Sequence, residues 1–193
     1  MKYTLLYTAV LSLFLTACSG TAAEKKDKTQ NDTTAVTKDS TAEKPKEAQR
    51  VSPTKVLDAE INGVKVKITY GSPSVKKREI WGKLVPYDEV WRTGANESTT
   101  IETDKDALIG GKKVAAGKYG FFTIPGTKSW TIIINSVWDQ WGSYTYDRSK
   151  DVVRFTSKPE TTDFSESLEF TSENGKIWIV WEKLKVPFEV KGA

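Results

Sequence analysis

Val56-Leu57-Asp58-Ala59-Glu60-Ile61-Asn62-Gly63-Val64-Lys65-Val66-Lys67-Ile68-Thr69-Tyr70 decides the fold class of this chain. Two runs of strand character flank Asn-Gly, the dipeptide that tolerates positive φ at both centres of a tight hairpin turn. Strict alternation in the second run sends Val64, Val66, Ile68 and Tyr70 to one face, and Lys65, Lys67 and Thr69 to water. The expectation is an antiparallel hairpin with one buried face.

The same rhythm returns C-terminally. Ser98–Thr103 reads as a strand. Ala107–Ile109, Gly110-Gly111 and Lys112–Val114 read as a second hairpin, and Gly117 turns the chain into Tyr119–Ile124. Trp130–Asn135 is apolar at nearly every position, as a central strand would be. Asp151–Thr156 and Ser165–Thr171 alternate, and Glu173-Asn174-Gly175 turns into Lys176–Glu182, which reads as buried on both faces. Pro187 suggests an edge or a bulge. No stretch has a convincing helical period, although Arg78–Gly82 would fit one helical turn closed by glycine. Eight or so short strands with close turn signals imply an all-β fold: an antiparallel β-sandwich or a jelly-roll-like domain, both left open.

The domain begins near Val51. Before it, Lys2 precedes an apolar run, Leu5–Ala17, shorter than the roughly 20 residues a membrane-spanning helix needs. Residues 1–17 fit a secretory leader instead. Leu15-Thr16-Ala17-Cys18 resembles the bacterial lipobox, which implies cleavage before Cys18 and acylation of it. Ser19 and Gly20 offer no acidic retention signal, so the expected location is the outer membrane. Residues 19–50 are polar and lack aromatics. They read as a tether completing the 18–50 segment, with a reach of roughly 30 Å as flexible coil. The membrane is then a partner through the anchor.

Composition excludes much chemistry. With no His, and its one Cys at the lipobox, the chain has no Ser-His-Asp triad, no Cys-His pair and no thiolate nucleophile. No cofactor is expected, and any metal would be a hard ion held by oxygen, for which no motif exists. A net charge of +4 without a polybasic arm does not indicate nucleic-acid binding.

Two stretches combine residues that ordinary strands and loops do not. Val90-Trp91-Arg92-Thr93-Gly94-Ala95-Asn96-Glu97 sets an aromatic, a guanidinium, an amide and a carboxylate around a glycine, at the end of the long segment Gly71–Glu97. Arg78, Arg92, Asn96 and Glu97 are its candidate ligand residues. Arg92 would hold an anion or carbonyl and Asn96 would orient it; the alternative is a polar network locking the loop to the sheet, with Arg92 making several hydrogen bonds. The second stretch, Trp138-Asp139-Gln140-Trp141-Gly142-Ser143-Tyr144-Thr145-Tyr146-Asp147, offers Trp138, Asp139, Trp141 and Tyr144. Loop aromatics beside carboxylates suit a sugar, whose ring stacks while its hydroxyls bond; otherwise the Trp rings cap an end of the sandwich. Glu97, Asp139 and Asp147 are the carboxylates a glycosidase-like hydrolase would need.

Pro73–Gly82, Val90–Glu97, Ala116–Pro125 and Asp139–Tyr144, in that order, resemble domain-of-unknown-function family 2911 across about residues 52–190. The resemblance implies an exported bacterial envelope domain and carries no catalytic roles. The expected function is a lipid-anchored envelope protein binding a small molecule or glycan in a loop-built pocket. The alternatives are a carboxylate-based hydrolase and an interaction module that docks a partner through exposed aromatics.

Overall fold

The computed structural model describes residues 51–193; the expectations for the leader (1–17) and for Cys18 with its tether (18–50) lie outside them. The described residues form ten strands and one 3₁₀ turn, Arg148–Lys150, with no α-helix. The strands are β1 (Thr54–Ile61), β2 (Val64–Gly71), β3 (Thr99–Thr103), β4 (Ala107–Ile109), β5 (Lys112–Val114), β6 (Gly117–Ile124), β7 (Trp130–Asn135), β8 (Asp151–Ser157), β9 (Glu160–Glu173) and β10 (Lys176–Gly192). They build a six-stranded sheet, β1-β2-β3-β6-β7-β8, and a four-stranded sheet, β5-β4-β10-β9. Every pairing is antiparallel. The larger sheet runs in chain order apart from the β4–β5 excursion to the smaller one. This is the β-sandwich of the two architectures left open.

The founding hairpin forms as expected. Pairing runs from Thr54 opposite Gly71 to Ile61 opposite Val64, closed by Asn62 at φ 49° and Gly63 at φ 76°. Val64, Val66, Ile68 and Tyr70 are buried in the core cluster, and Lys65 and Lys67 are exposed. The core lies between the sheets and joins these residues to Ile101, Phe121, Ile132 and Ile134 of the large sheet and Ile177, Ile179, Phe188 and Val190 of the small one.

β7 is buried on both faces because the outer face has a cover of its own. Ile133 and Phe122 pair across β6 and β7 and are fully buried, yet they point away from the main core. The Tyr146 ring packs 5.2 Å from Phe122 and supplies the cover. Lys176–Glu182 differs from expectation. Ile177, Ile179 and Trp181 are buried, whereas Trp178 and Val180 are only half-buried, the Trp178 ring lying under Lys185 Nζ at 4.5 Å. Pro187 sits after the β9 pairing ends at Lys185 and before the β4 pairing begins at Val190, so neither ladder needs its missing N–H. The bulge falls earlier, where the register shifts around Glu182 at φ 57°.

Arg78–Gly82 makes tight turns and no helix. Lys76 and Lys77 just before it have positive φ (47° and 59°), and Gly82 within it has φ 81°. The Val85 N–H donates to Ile80 and the Gly82 N–H donates to Val85, each at 2.9 Å, so the chain doubles back.

Candidate functional site

The long segment between β2 and β3 is held by backbone bonds at both ends. The Leu168 N–H donates to Pro73 (2.9 Å) and the Val75 N–H to Glu166 (2.7 Å), fastening its start to β9. Trp91 and Thr123 exchange both backbone bonds, fastening its end to β6. Between these anchors Trp81 and Trp91 drop onto Trp130 of β7 and Trp181 of β10. The four rings meet at centroid distances of 5.0–6.3 Å, mostly edge to face, the geometry aromatic quadrupoles favour. Hydrophobicity explains why so long a loop is ordered: it carries half of an indole cluster.

The turn after Trp91 is strained. Thr93 is fully buried at φ 53° and Asn96 follows at φ 65°. A β-branched residue rarely adopts positive φ, and such conformations cost on the order of 1–3 kcal/mol, persisting only where surroundings fix them. Here the Thr93 hydroxyl meets that of Thr123 at 3.0 Å, and the Thr99 hydroxyl donates to the Thr93 carbonyl at 3.0 Å. The backbone also approaches β2 where only glycine allows it. A Cβ on Gly71 would run into the Ala95 carbonyl, whose own N–H donates to Gly71 at 3.1 Å.

The two stretches singled out in the sequence are stitched together. The Ser98 N–H donates to Gln140 (3.0 Å) and the Gly142 N–H to Asn96 (3.1 Å), on either side of an antiparallel bridge between Glu97 and Trp141. The Ser98 hydroxyl donates to the Gly142 carbonyl, and that of Ser143 to Val90 at 3.2 Å.

The candidate residues nevertheless divide between two cavities. Arg78 and Arg92 line one of about 340 Å³, with Trp91, Trp181, Leu84 and Lys76. Glu97, Trp138 and Asp139 line another of about 310 Å³ on the outer face of the large sheet, with Thr69, Ser98, Thr100 and Lys118. Lys118 Nζ lies 4.3 Å from the centre of the Trp138 ring, a cation–π contact. Asn96 reaches neither; its amide donates to the Ser52 carbonyl at 3.0 Å. Trp141 and Tyr144 are exposed by 53% and 83%, so they do not cap the sandwich. Arg92 and Glu97 do not pair, because the Thr93–Asn96 turn sends them to different cavities.

Arg92 departs furthest from expectation. In place of several hydrogen bonds, its side chain makes none among the described residues, and its Nε is shut off from solvent without a partner. Burial pulls the guanidinium below its ordinary pKa, and the nearby Tyr144 phenol partly opposes this. The locking network exists, but Thr93, Thr99, Ser98 and Asn96 build it. Arg78 is spent on its own loop, donating to Val75 at 3.1 Å and to Ser74 at 2.5 Å. Sequence reasoning missed Lys76, Trp181 and Lys118 as lining residues; the only hint for Trp181 was strand alternation, which marked it as core.

A family model described as "Protein of unknown function (DUF2911)" matches residues 52–190. The chain belongs to that family. The match begins just after Val51, spans both cavities and ends at Val190 of β10, so both sites are parts of the DUF2911 domain. No curated protein and no solved structure matches the chain. Among the described residues no group of three His, Cys, Asp or Glu could hold a metal ion, and no helix is long and apolar enough to cross a membrane.

Proposed function

We propose that this DUF2911 protein is lipid-anchored in the cell envelope, at the outer membrane, and binds a small ligand in the cavity at Arg92. The anchor is supported by the lipobox-like Leu15-Thr16-Ala17-Cys18 and the polar residues 19–50 that follow. Several acyl chains hold a protein to a bilayer where one would not. Ligand binding rests on Arg92. Among the described residues its side chain makes no hydrogen bond, and no Asp or Glu of theirs lines the cavity it borders. Desolvating a charge without compensation is costly, and a fold that does so beside an open cavity leaves room for a bound group to supply the partner.

A second reading is favoured by the other cavity, where an exposed Trp138 stands beside Glu97, Asp139 and Ser98. That set suits a glycan, or the carboxylate-based hydrolase, better than the Arg92 cavity does, since the carboxylates are here. A thermal-shift screen of the full chain separates the two. A ligand at 100 times its Kd adds about 2.7 kcal/mol of stability. Shifts abolished by Arg92→Gln and kept in Trp138→Ala support the first site; the opposite pattern moves the function to the second. For the anchor, Cys18→Ser should release the protein from the membrane fraction. A variant that still sediments with membranes removes that half of the proposal.

A further inference from the structure

We propose that the cavity at Arg92 takes an amphipathic acid: a small molecule with a single carboxylate on a compact apolar body. The inference rests on the reading of this cavity as a ligand site, and it comes from asking which polar capacity the lining still has free.

Four of the lining carbonyls are already engaged. The Ser52 carbonyl takes the Asn96 amide, Pro73 takes Leu168, Ser74 takes Arg78, and Gly94 takes the Trp91 indole at 3.2 Å. The Arg92 guanidinium is not: among the described residues it makes no hydrogen bond, and it can only donate, while the Trp181 indole N–H is sealed within the lining. A ligand that satisfies such a lining brings acceptors, not hydroxyl or amide donors. Charge agrees: among the described residues the lining holds Lys76, Arg78 and Arg92 and no acid. Arg78 is occupied with carbonyls and Lys76 lies exposed at the rim, which leaves one desolvated cation for one anionic group.

The remaining lining is apolar. Trp91, Trp181, Val85 and Pro73 contribute to it, and Leu84 stays 43% exposed at its mouth. A bare inorganic anion would leave these surfaces wet, whereas an apolar body covers them. The volume, about 340 Å³, is near the low end of the roughly 300–1,000 Å³ typical of ligand pockets. The body is therefore about one or two rings, or a short branched chain.

The probes are indole-3-acetate and indole-3-acetamide, alike in shape and different in charge, with acetate as the acid lacking a body. Binding to the full chain is followed by calorimetry and by the Trp181 indole N–H signal in ¹⁵N NMR. The acid should bind roughly tenfold or more tightly than the amide, as a charge-assisted bond predicts, and should move the Trp181 signal. Acetate should bind at least tenfold more weakly than indole-3-acetate. Arg92→Gln should collapse the acid–amide difference. An amide that binds as well as the acid overturns the inference while leaving the small-ligand reading intact. Acetate binding as tightly as indole-3-acetate overturns the apolar half. If neither indole binds at millimolar concentration, the amphipathic acid is wrong; if screening hits are also indifferent to Arg92→Gln, the small-ligand reading fails with it. Should Arg92→Gln not fold, the acid–amide comparison on the native chain decides alone.

Discussion

The segment 71–97 and the loop 136–150 look alike in composition and behave oppositely. Each carries two Trp, Tyr, a carboxylate and glycine. The first packs both of its Trp against the core and leaves a cation without a hydrogen-bond partner among the described residues. The second leaves both of its Trp at the surface and half-buries a phenol. The difference lies in what each covers. Trp81 and Trp91 reach an opening between the sheets where Trp130 and Trp181 already stand. The second loop lies on the outer face, where among the described residues the buried apolar side chains outside the main core are Phe122 and Ile133, and the Tyr146 ring packs on Phe122. Aromatic content is thus a poor guide to whether a loop is core or surface; the apolar area waiting beneath it decides.

The largest break in this comparison should come from the first segment. Trp181→Ala would remove a fully buried indole that touches both Trp81 and Trp91. Phe or Trp to Ala in a core costs about 3–5 kcal/mol, measured as a denaturant midpoint at unchanged slope. A loss below about 1 kcal/mol would mean that the indole cluster does not hold the segment down.

Tyr146→Phe comes next. The Tyr146 hydroxyl donates to the Asp151 carboxylate, 2.7 and 2.9 Å from its oxygens. Asn135 and Arg154 complete the set, at 2.8 and 3.2 Å from Asp151. A bond to a charged acceptor is worth roughly 1.5–3 kcal/mol, and Phe keeps the ring on Phe122. This pair also carries a pH signature. Burial first, then the bond to Asp151, push the Tyr146 phenol well above its ordinary value of 10.0. The unfolded chain releases that proton near pH 10 while the folded chain keeps it. The contribution is therefore whole below pH 10 and is lost as pH rises further. Tyr70, also raised by burial, acts with the same sign. In Tyr146→Phe the alkaline fall in stability should be shallower than in the parent chain, with the share of Tyr70 remaining. An identical fall would show that Tyr146 titrates normally.

The hairpins and the sandwich were legible because they depend on alternation and on turn residues, both local. Asn62-Gly63 and Gly110-Gly111 mark their turns without help from the rest of the chain. The site was half legible. Arg92, Glu97, Trp138 and Asp139 all line cavities, but their division between two was hidden. It depends on Thr93 and Asn96 adopting positive φ, and a β-branched Thr is the last residue to suggest that. The pairing of Glu97 with Trp141 is also invisible to spacing, since it joins loops far apart in sequence. Arg92 was expected to sit in a network because a buried Arg usually does; the hydroxyls of Thr93, Ser98 and Thr99 made that network without it.

The smallest effects should fall on the exposed rings, and their ranking sharpens the comparison most finely. Trp141 meets Glu97 through a backbone bridge, and truncating a half-exposed side chain leaves that bridge in place. Trp141→Ala should thus change stability by no more than about 0.5 kcal/mol. Trp138 is exposed by 39% and also carries Lys118 over its ring. An exposed cation–π pair is worth about 0.5–1 kcal/mol, so Trp138→Ala should cost slightly more. A double-mutant cycle with Lys118→Met isolates the pair, because each single change removes the same contact. A coupling energy of zero would mean that Lys118 is merely near the ring. A cost for Trp141→Ala matching that of Trp181→Ala would erase the contrast altogether: the outer loop would then be packed as the inner one is, and its exposed aromatics would no longer be free to meet a ligand.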